Sequence, residues 1–150
     1  TGVQTCALPI STRVISLENT IGGIVQPLEE TRKISAWARE NGVKLHLDGA
    51  RLWEAVAAGK GNLQEYGSCF DSVGLDFSKG LGAPMGAVIV GRGDFVARAR
   101  RIRKGMGGGM RQVGVLSSPA RESMESILGL GHPGTKMVGY YDDLIVWPRG

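Results

Sequence analysis

Residues 11–128 alternate between short β-branched runs and stretches whose apolar positions follow a helical period. The short runs cover 13–17, 43–47, 71–77 and 86–90, and each is followed by glycine or by polar residues typical of turns. Short apolar runs bounded by such residues are typical of β-strands. The pattern therefore predicts four strands.

A helix is predicted after the first strand. Ile34, Trp37 and Ala38 recur at the i, i+3, i+4 spacing of one helix face. Pro27 suits the first turn of a helix, and Gly42 suits the position just after its end. We expect this helix to run from about Pro27 to Gly42.

Three further helices are predicted along the chain. They cover about 53–58, about 94–104, which is strongly basic, and about 110–128. Strands that alternate with helices indicate a layered α/β domain. In such a domain, ligands bind beyond the carboxyl ends of the strands.

Two polar residues follow predicted strands in a way that suits one cofactor. Asp48 ends the second strand, and Lys79 follows the third between Ser78 and the glycines Gly80 and Gly82. A carboxylate can keep the ring nitrogen of pyridoxal phosphate protonated, and a lysine amine can form an imine with its aldehyde. The Ser78 hydroxyl could bind the cofactor phosphate. Taken singly, an aspartate before glycine is typical of a turn, and a lysine is typical of solvated surface.

Composition narrows the class of protein. The chain has 150 residues, of which 24 are glycine and 6% aromatic, which favours a loop-rich α/β enzyme over a coiled coil. It is shorter than most two-lobed cofactor enzymes, so we expect a fragment of one. Cys6 and Cys69 have no metal-like spacing, so neither a zinc site nor a disulfide framework is predicted. Without a long apolar run, we expect a cytoplasmic protein without membrane contact.

The net charge of +4 is concentrated in one short segment. A nucleic-acid-binding module is the alternative that this cluster suggests. The segment lacks interleaved aromatic residues and a recognisable binding motif, so a solvated outer helix or a subunit interface is favoured and no nucleic-acid partner is predicted. The cluster consists of Arg98, Arg100, Arg101, Arg103, Lys104 and Arg111.

Five segments, in this order, resemble the L-threonine aldolase family. They are Leu-Glu-Asn-Thr at 17–20, His-Leu-Asp-Gly-Ala-Arg-Leu at 46–52, Asp-Ser-Val at 71–73, Ser-Lys-Gly-Leu-Gly-Ala-Pro at 78–84 and Gly-Gly-Gly-Met-Arg-Gln at 107–112. The family is similar to the β-eliminating lyases. The resemblance implies part of the large domain of a fold-type-I pyridoxal phosphate enzyme, with a mostly parallel sheet and flanking helices. It also implies cleavage of L-threonine or L-allo-threonine to glycine and acetaldehyde. A β-eliminating lyase or an aminotransferase of the same fold is the alternative.

The resemblance assigns roles to individual residues. Lys79 matches the lysine that binds the cofactor aldehyde, and Asp48 matches the aspartate that faces the ring nitrogen. Arg51 matches the arginine that binds the substrate carboxylate, and Arg111 matches an arginine near the cofactor. His46 shares a strand face with Asp48 and is a candidate base, although a histidine in an apolar strand is more often a core residue.

The sequence also departs from the family pattern. Asp76 stands where the family has a small or sulfur-containing residue, and the segment after Asn19 and Thr20 lacks the family's usual His-Asn. The family's phosphate-binding glycine loop and its ring-stacking residue would precede Ser11, and its small domain would follow this chain. We therefore expect the 150-residue chain to bind cofactor weakly and to be inactive. The parent is expected to be a homodimer or homotetramer that acts on a small amino acid.

The two ends of the chain are treated separately. Residues 1–10 back-translate to a common sequencing-library adapter, so we expect them, and Cys6 with them, to be non-native. Residues 11–128 are expected to belong to the pyridoxal phosphate-dependent large domain. Residues 129–150, which include His132, show no clear periodicity and are assigned no role.

Overall fold

The computed structural model describes residues 11–128 as one run of strands and helices. The predictions made for 1–10 and 129–150, including those for Cys6 and His132, lie outside these residues. The elements are β1 (Val14–Glu18), α1 (Leu28–Glu40), β2 (Lys44–Asp48), α2 (Leu52–Ala57), α3 (Leu63–Cys69), β3 (Ser72–Asp76), β4 (Ala87–Gly91), α4 (Gly93–Gly105) and α5 (Gly114–Leu128).

The strands form one sheet in the order β1-β2-β3-β4. β1, β2 and β3 run parallel, whereas β4 pairs with β3 in the antiparallel direction. The connection at 77–86 is too short for the crossover that a parallel pair requires, so the chain turns back beside β3. The predicted α/β fold with a mostly parallel sheet is confirmed, and each predicted strand is present with its ends shifted by one residue.

α1 has the predicted position but buries a different face. Ala38 is buried as expected, whereas Trp37 is 51% exposed and the other buried positions are Thr31 and Ser35. The Ser35 hydroxyl donates a 2.7 Å hydrogen bond to the carbonyl oxygen of Cys69, at the end of α3. Small side chains allow α1 and α3 to approach closely, and the larger Trp37 ring therefore lies outside the contact.

α3 was not predicted from the sequence, although a local signal for it exists. The Asn62 side chain accepts a hydrogen bond from the Glu65 amide at 2.9 Å, and the Glu65 side chain accepts one from the Asn62 amide at 3.0 Å. This reciprocal capping box defines the start of a helix. Tyr66, on the following turn, is fully buried and fixes α3 in the core.

α5 begins later than predicted. Residues 106–113 form turns and irregular backbone, in which Gly107 has a φ of +83°, and the helix starts at Gly114 instead of near Met110. A glycine in this left-handed region ends α4 and changes the chain direction. Ala120 and Met124 of α5 then enter the core.

Candidate active site

The carboxyl ends of β1, β2 and β3 meet at one edge of the sheet because these strands are parallel. Glu18 lies opposite Asp48, and Asp48 lies opposite Gly74 of β3. Residues that follow β2 and β3 are therefore neighbours in space. This is the edge where open α/β sheets bind ligands, and the sequence placed Asp48 and Lys79 there.

Asp48 is held by its backbone and presents an exposed carboxylate. Its carbonyl oxygen accepts a 3.0 Å hydrogen bond from the Asn19 amide, and its Oδ1 accepts a 3.2 Å bond from the Ala50 amide. The next residue, Gly49, donates to the Gly74 carbonyl oxygen at 2.8 Å. A Cβ atom at Gly49 would lie 2.8 Å from that same oxygen, so only glycine lets β2 end this close to β3.

Lys79 lies in a tightly hydrogen-bonded loop between β3 and β4. The Phe77 amide donates to Gly86 at 2.9 Å, and the Ala83 amide donates back to Phe77 at 3.0 Å. Within this frame, the Gly82 amide donates to the Lys79 carbonyl oxygen at 2.8 Å and closes a turn that ends at Gly82, where the φ of +68° favours glycine. The backbone that carries the lysine is therefore fixed on both sides.

The Lys79 amine has a partner in the described structure. Its Nζ lies 2.8 Å from Oδ2 of Asp76, and the two side chains are 35% and 28% exposed. Asp76 is the residue that the sequence resemblance predicts to differ from the family pattern. The Asp76 side chain is therefore in direct contact with the proposed cofactor lysine, Lys79.

α2 joins the Asp48 segment to the Lys79 loop. Buried Trp53 donates a 2.9 Å hydrogen bond from Nε1 to the Asp76 carbonyl oxygen, and its ring packs on Phe77 at a centroid distance of 6.0 Å. Glu54 packs so closely on Gly80 that a Cβ atom there would lie 2.6 Å from the carboxylate. Sequence analysis missed Trp53 and Glu54, because these contacts join segments separated along the chain.

The remaining predicted site residues occupy two regions. Ser78, beside Lys79, and Arg51, just before α2, are both exposed near the carboxyl edge of the sheet. Arg111 is exposed in the connection between α4 and α5. Within 11–128, no hydrogen bond or ion pair joins Arg111 to Asp48 or Lys79. Its place near the cofactor stays a prediction.

His46 is half-buried, and its Nδ1 lies 2.8 Å from the hydroxyl oxygen of Ser72 on the neighbouring strand. This hydrogen bond satisfies one ring nitrogen. The role of His46 as a base stays a prediction.

The residues at this edge fit pyridoxal phosphate by their chemistry. They offer an exposed carboxylate at Asp48, an amine at Lys79 and a hydroxyl at Ser78. Asn19, whose backbone amide donates to Asp48, is also 99% buried; its Oδ1 accepts from the Gln26 amide, and its Nδ2 has no hydrogen-bond partner among residues 11–128. Buried hydrogen-bond donors without a partner are rare in native protein structures.

Residues 11–128 show neither a metal-ion cluster nor a membrane-spanning helix. Residues 11–128 contain no cluster of three or more histidine, cysteine, aspartate or glutamate side chains that could hold a metal ion. No helix among them has the length and hydropathy needed to cross a bilayer. The basic residues predicted as a cluster lie on α4, apart from Arg111.

Comparison with known families decides the assignment. The profile of the beta-eliminating lyase family matches residues 9–134. The chain belongs to the beta-eliminating lyase family. The family resemblance predicted from the five sequence segments is thereby confirmed.

Three named proteins are similar in sequence to this lyase-family chain. It is 59% identical over 115 residues to aldolase vrtJ of Penicillium aethiopicum, covering 77% of this chain and 30% of the relative. It is 56% identical over 120 residues to alanine racemase TOXG of Cochliobolus carbonum, covering 80% and 31%. It is 50% identical over 131 residues to the low-specificity L-threonine aldolase of Candida albicans, covering 85% and 35%.

A solved structure shows the same fold. A candidate L-allo-threonine aldolase from Listeria monocytogenes EGD-E superposes with a TM-score of 0.72 at 35% identity, covering 85% of this chain and 36% of that one. The predicted fold class is confirmed by this likeness. The chain spans about a third of the length of the relatives that it matches.

Proposed function

We propose that this chain contributes the cofactor-binding core of a pyridoxal phosphate-dependent aldolase that cleaves L-threonine or L-allo-threonine to glycine and acetaldehyde. The observation that carries the proposal is the position of Asp48, at the carboxyl end of β2, and of Lys79, in the loop after the adjacent strand β3, in a beta-eliminating lyase chain. Enzymes of this family use pyridoxal phosphate. The threonine aldolase relatives support the reaction.

Three residues would hold the cofactor. Lys79 would bind its aldehyde, Asp48 would face its ring nitrogen, and Ser78 would donate to its phosphate. When bound, pyridoxal phosphate supplies an electron sink for the electrons of a broken Cα–Cβ bond. The Asp48 carboxylate favours the protonated ring nitrogen because opposite charges attract at short range.

Arg51, Arg111 and His46 would take the remaining roles. Arg51 would bind the substrate carboxylate through its planar guanidinium group, and Arg111 would lie near the cofactor. His46 is the candidate for the base that removes the β-hydroxyl proton. In the tautomer in which Nδ1 donates to the Ser72 hydroxyl oxygen, Nε2 can accept that proton.

Amino-acid racemisation is the second candidate function. It is favoured by one observation, the 56% identity to a relative named alanine racemase. Both reactions break a bond at Cα of an amino acid bound to the same cofactor, and they differ in which bond it is. Asp48 and Lys79 would serve either reaction.

Substrate assays of the longest reading frame that contains this chain test the proposal. The enzyme is incubated with L-threonine, L-allo-threonine, L-alanine, L-tryptophan and an amino donor with a 2-oxo acid. We expect acetaldehyde from threonine, and none from a Lys79→Ala variant. Lys33→Ala, at an exposed lysine on α1, is the matched control and should retain activity. If the enzyme forms D-alanine or indole, or catalyses transamination, and releases no acetaldehyde, then the aldolase assignment is wrong.

The assembly and partners are also proposed. We propose a cytoplasmic homodimer or homotetramer that acts on a small amino acid and has no nucleic-acid partner. Sedimentation of the same full-length enzyme tests the oligomeric state, and a monomer that retains full activity would contradict it. A salt-sensitive mobility shift of labelled DNA or RNA would contradict the absence of a nucleic-acid partner. The 150-residue chain alone is expected to show no turnover.

A further inference from the structure

The ion pair between Asp76 and Lys79 gives the proposed cofactor lysine a partner of its own. Oδ2 and Nζ lie 2.8 Å apart, and about two thirds of each side chain is shielded from solvent. Partial shielding strengthens the attraction between opposite charges relative to bulk water. The amine therefore has a charged neighbour before any cofactor arrives.

Asp76 is held in place from several directions. It ends β3 opposite Ala87 of β4, and its carbonyl oxygen accepts the hydrogen bond from buried Trp53. The next residue, Phe77, packs on the Trp53 ring. The Asp76 carboxylate thus extends from a fixed backbone, three residues before the lysine that it contacts.

This contact opposes the chemistry required of Lys79. A lysine attacks an aldehyde through the lone pair of its neutral amine, whereas an ammonium group has none. Starting from the ammonium, one proton must leave Nζ before the C–N bond forms. A second proton then leaves nitrogen, both depart with the carbonyl oxygen as water, and a protonated imine remains. The Asp76 carboxylate stabilises the starting ammonium.

We propose that Asp76 is a positioning residue whose ion pair engages the Nζ atom of Lys79 in the cofactor-free chain and competes with the cofactor aldehyde for that atom. The proposal rests on the proposed function only for the identity of that aldehyde. Partly exposed ion pairs are weak, so removal of the carboxylate should raise the reactivity of Lys79 by about two- to fivefold.

A second pair in the same chain provides the matched control. Glu30 and Lys33 also stand three residues apart, with Oε1 and Nζ at 2.7 Å, but their side chains are 59% and 69% exposed. Glu30→Gln removes this contact at a distance from the site. It should raise the reactivity of Lys33 and leave that of Lys79 unchanged.

Labelling of individual lysines tests the proposal on the 150-residue chain. Wild type, Asp76→Asn and Glu30→Gln are treated at fixed pH with formaldehyde and cyanoborohydride, and separately with pyridoxal phosphate and borohydride. Peptide mass spectrometry gives the initial rate at each lysine. We expect Asp76→Asn to accelerate labelling of Lys79 with both aldehydes and not to accelerate that of Lys33. An unchanged or slower Lys79 rate would overturn the proposal.

The two aldehydes separate this proposal from the proposed function. If formaldehyde labels Lys79 faster in Asp76→Asn, but pyridoxal phosphate does not prefer Lys79 over Lys33 in the full-length enzyme, then the ion-pair proposal holds and the cofactor assignment fails. Should Asp76→Asn not fold, a salt series on the wild type replaces it. Salt screens the pair and should accelerate labelling of Lys79 by formaldehyde; a rate independent of salt would overturn the proposal.

Discussion

The indole Nε1 of Trp53 donates a 2.9 Å hydrogen bond to the carbonyl oxygen of Asp76. Trp53 lies on the helix that follows Asp48, and Asp76 ends the strand that precedes Lys79. This bond connects the two segments that carry the proposed cofactor residues. The relative position of Asp48 and Lys79 therefore depends on α2 as well as on the pairing of β2 with β3.

Trp53→Phe should destabilise the chain. The substitution removes the indole donor and leaves the Asp76 carbonyl oxygen without that partner, which costs about 1–3 kcal/mol in a buried setting. Chemical denaturation monitored by far-ultraviolet circular dichroism measures the free energy of unfolding. Trp37→Phe, at a half-exposed position, should change it by less than about 0.5 kcal/mol. Equal effects at the two positions would show that the bond to Asp76 contributes nothing.

Gly49→Ala should be more harmful than its small size suggests. The new methyl group would lie 2.8 Å from the Gly74 carbonyl oxygen and 3.2 Å from Leu75, so β2 and β3 would have to separate. We expect a loss of about 1–3 kcal/mol, measured by denaturation. Gly67→Ala is the control, since nothing lies near its new methyl group within helix α3. It should stabilise the chain by about 0.5–1 kcal/mol.

Asn62→Ala should weaken the start of α3. The change removes the acceptor for the Glu65 amide and so breaks the capping box. Loss of such a cap costs about 1 kcal/mol of folding free energy. The control is Gln64→Ala, an exposed position in the first turn of the same helix. A melting temperature lowered equally by both variants would contradict the assignment of the cap.

The Asp94 carboxyl at the start of α4 should have a pKa below its ordinary value. The hydrogen bond from the Arg92 side chain, together with one from the Phe95 amide, holds the pKa of Asp94 below 3.8. A lowered folded-state pKa gives stability that is present above 3.8 and is lost as the pH falls through the lowered value. Carboxyl chemical shifts in an acid titration measure it. Arg92→Ala should raise the pKa of Asp94 towards 3.8, whereas Arg39→Ala, on α1, should leave it unchanged.

Features that depend on residues close in the sequence were predicted well, whereas features that depend on contacts between distant segments were not. The strands were found within one residue, because short apolar runs bounded by turn residues depend on neighbours in the chain. The burial of Thr31 and Ser35 in place of Trp37 was not predicted, because it depends on how closely α3 approaches α1. The capping box at Asn62 was a local signal that could have revealed α3.

The sequence by itself determined which residue types stand at the carboxyl edge of the sheet, and their cofactor roles stay a prediction. Asp48 and Lys79, with their neighbouring glycines, were identified from strand-end positions and motifs, since residue type and local turn formation are encoded within a few positions. Tertiary structure alone decided that Trp53 binds Asp76 and that the Asp76 carboxylate meets the Lys79 amine. These contacts depend on how helix α2 and the loop pack together in three dimensions, and hydrophobic periodicity carries no information about that packing.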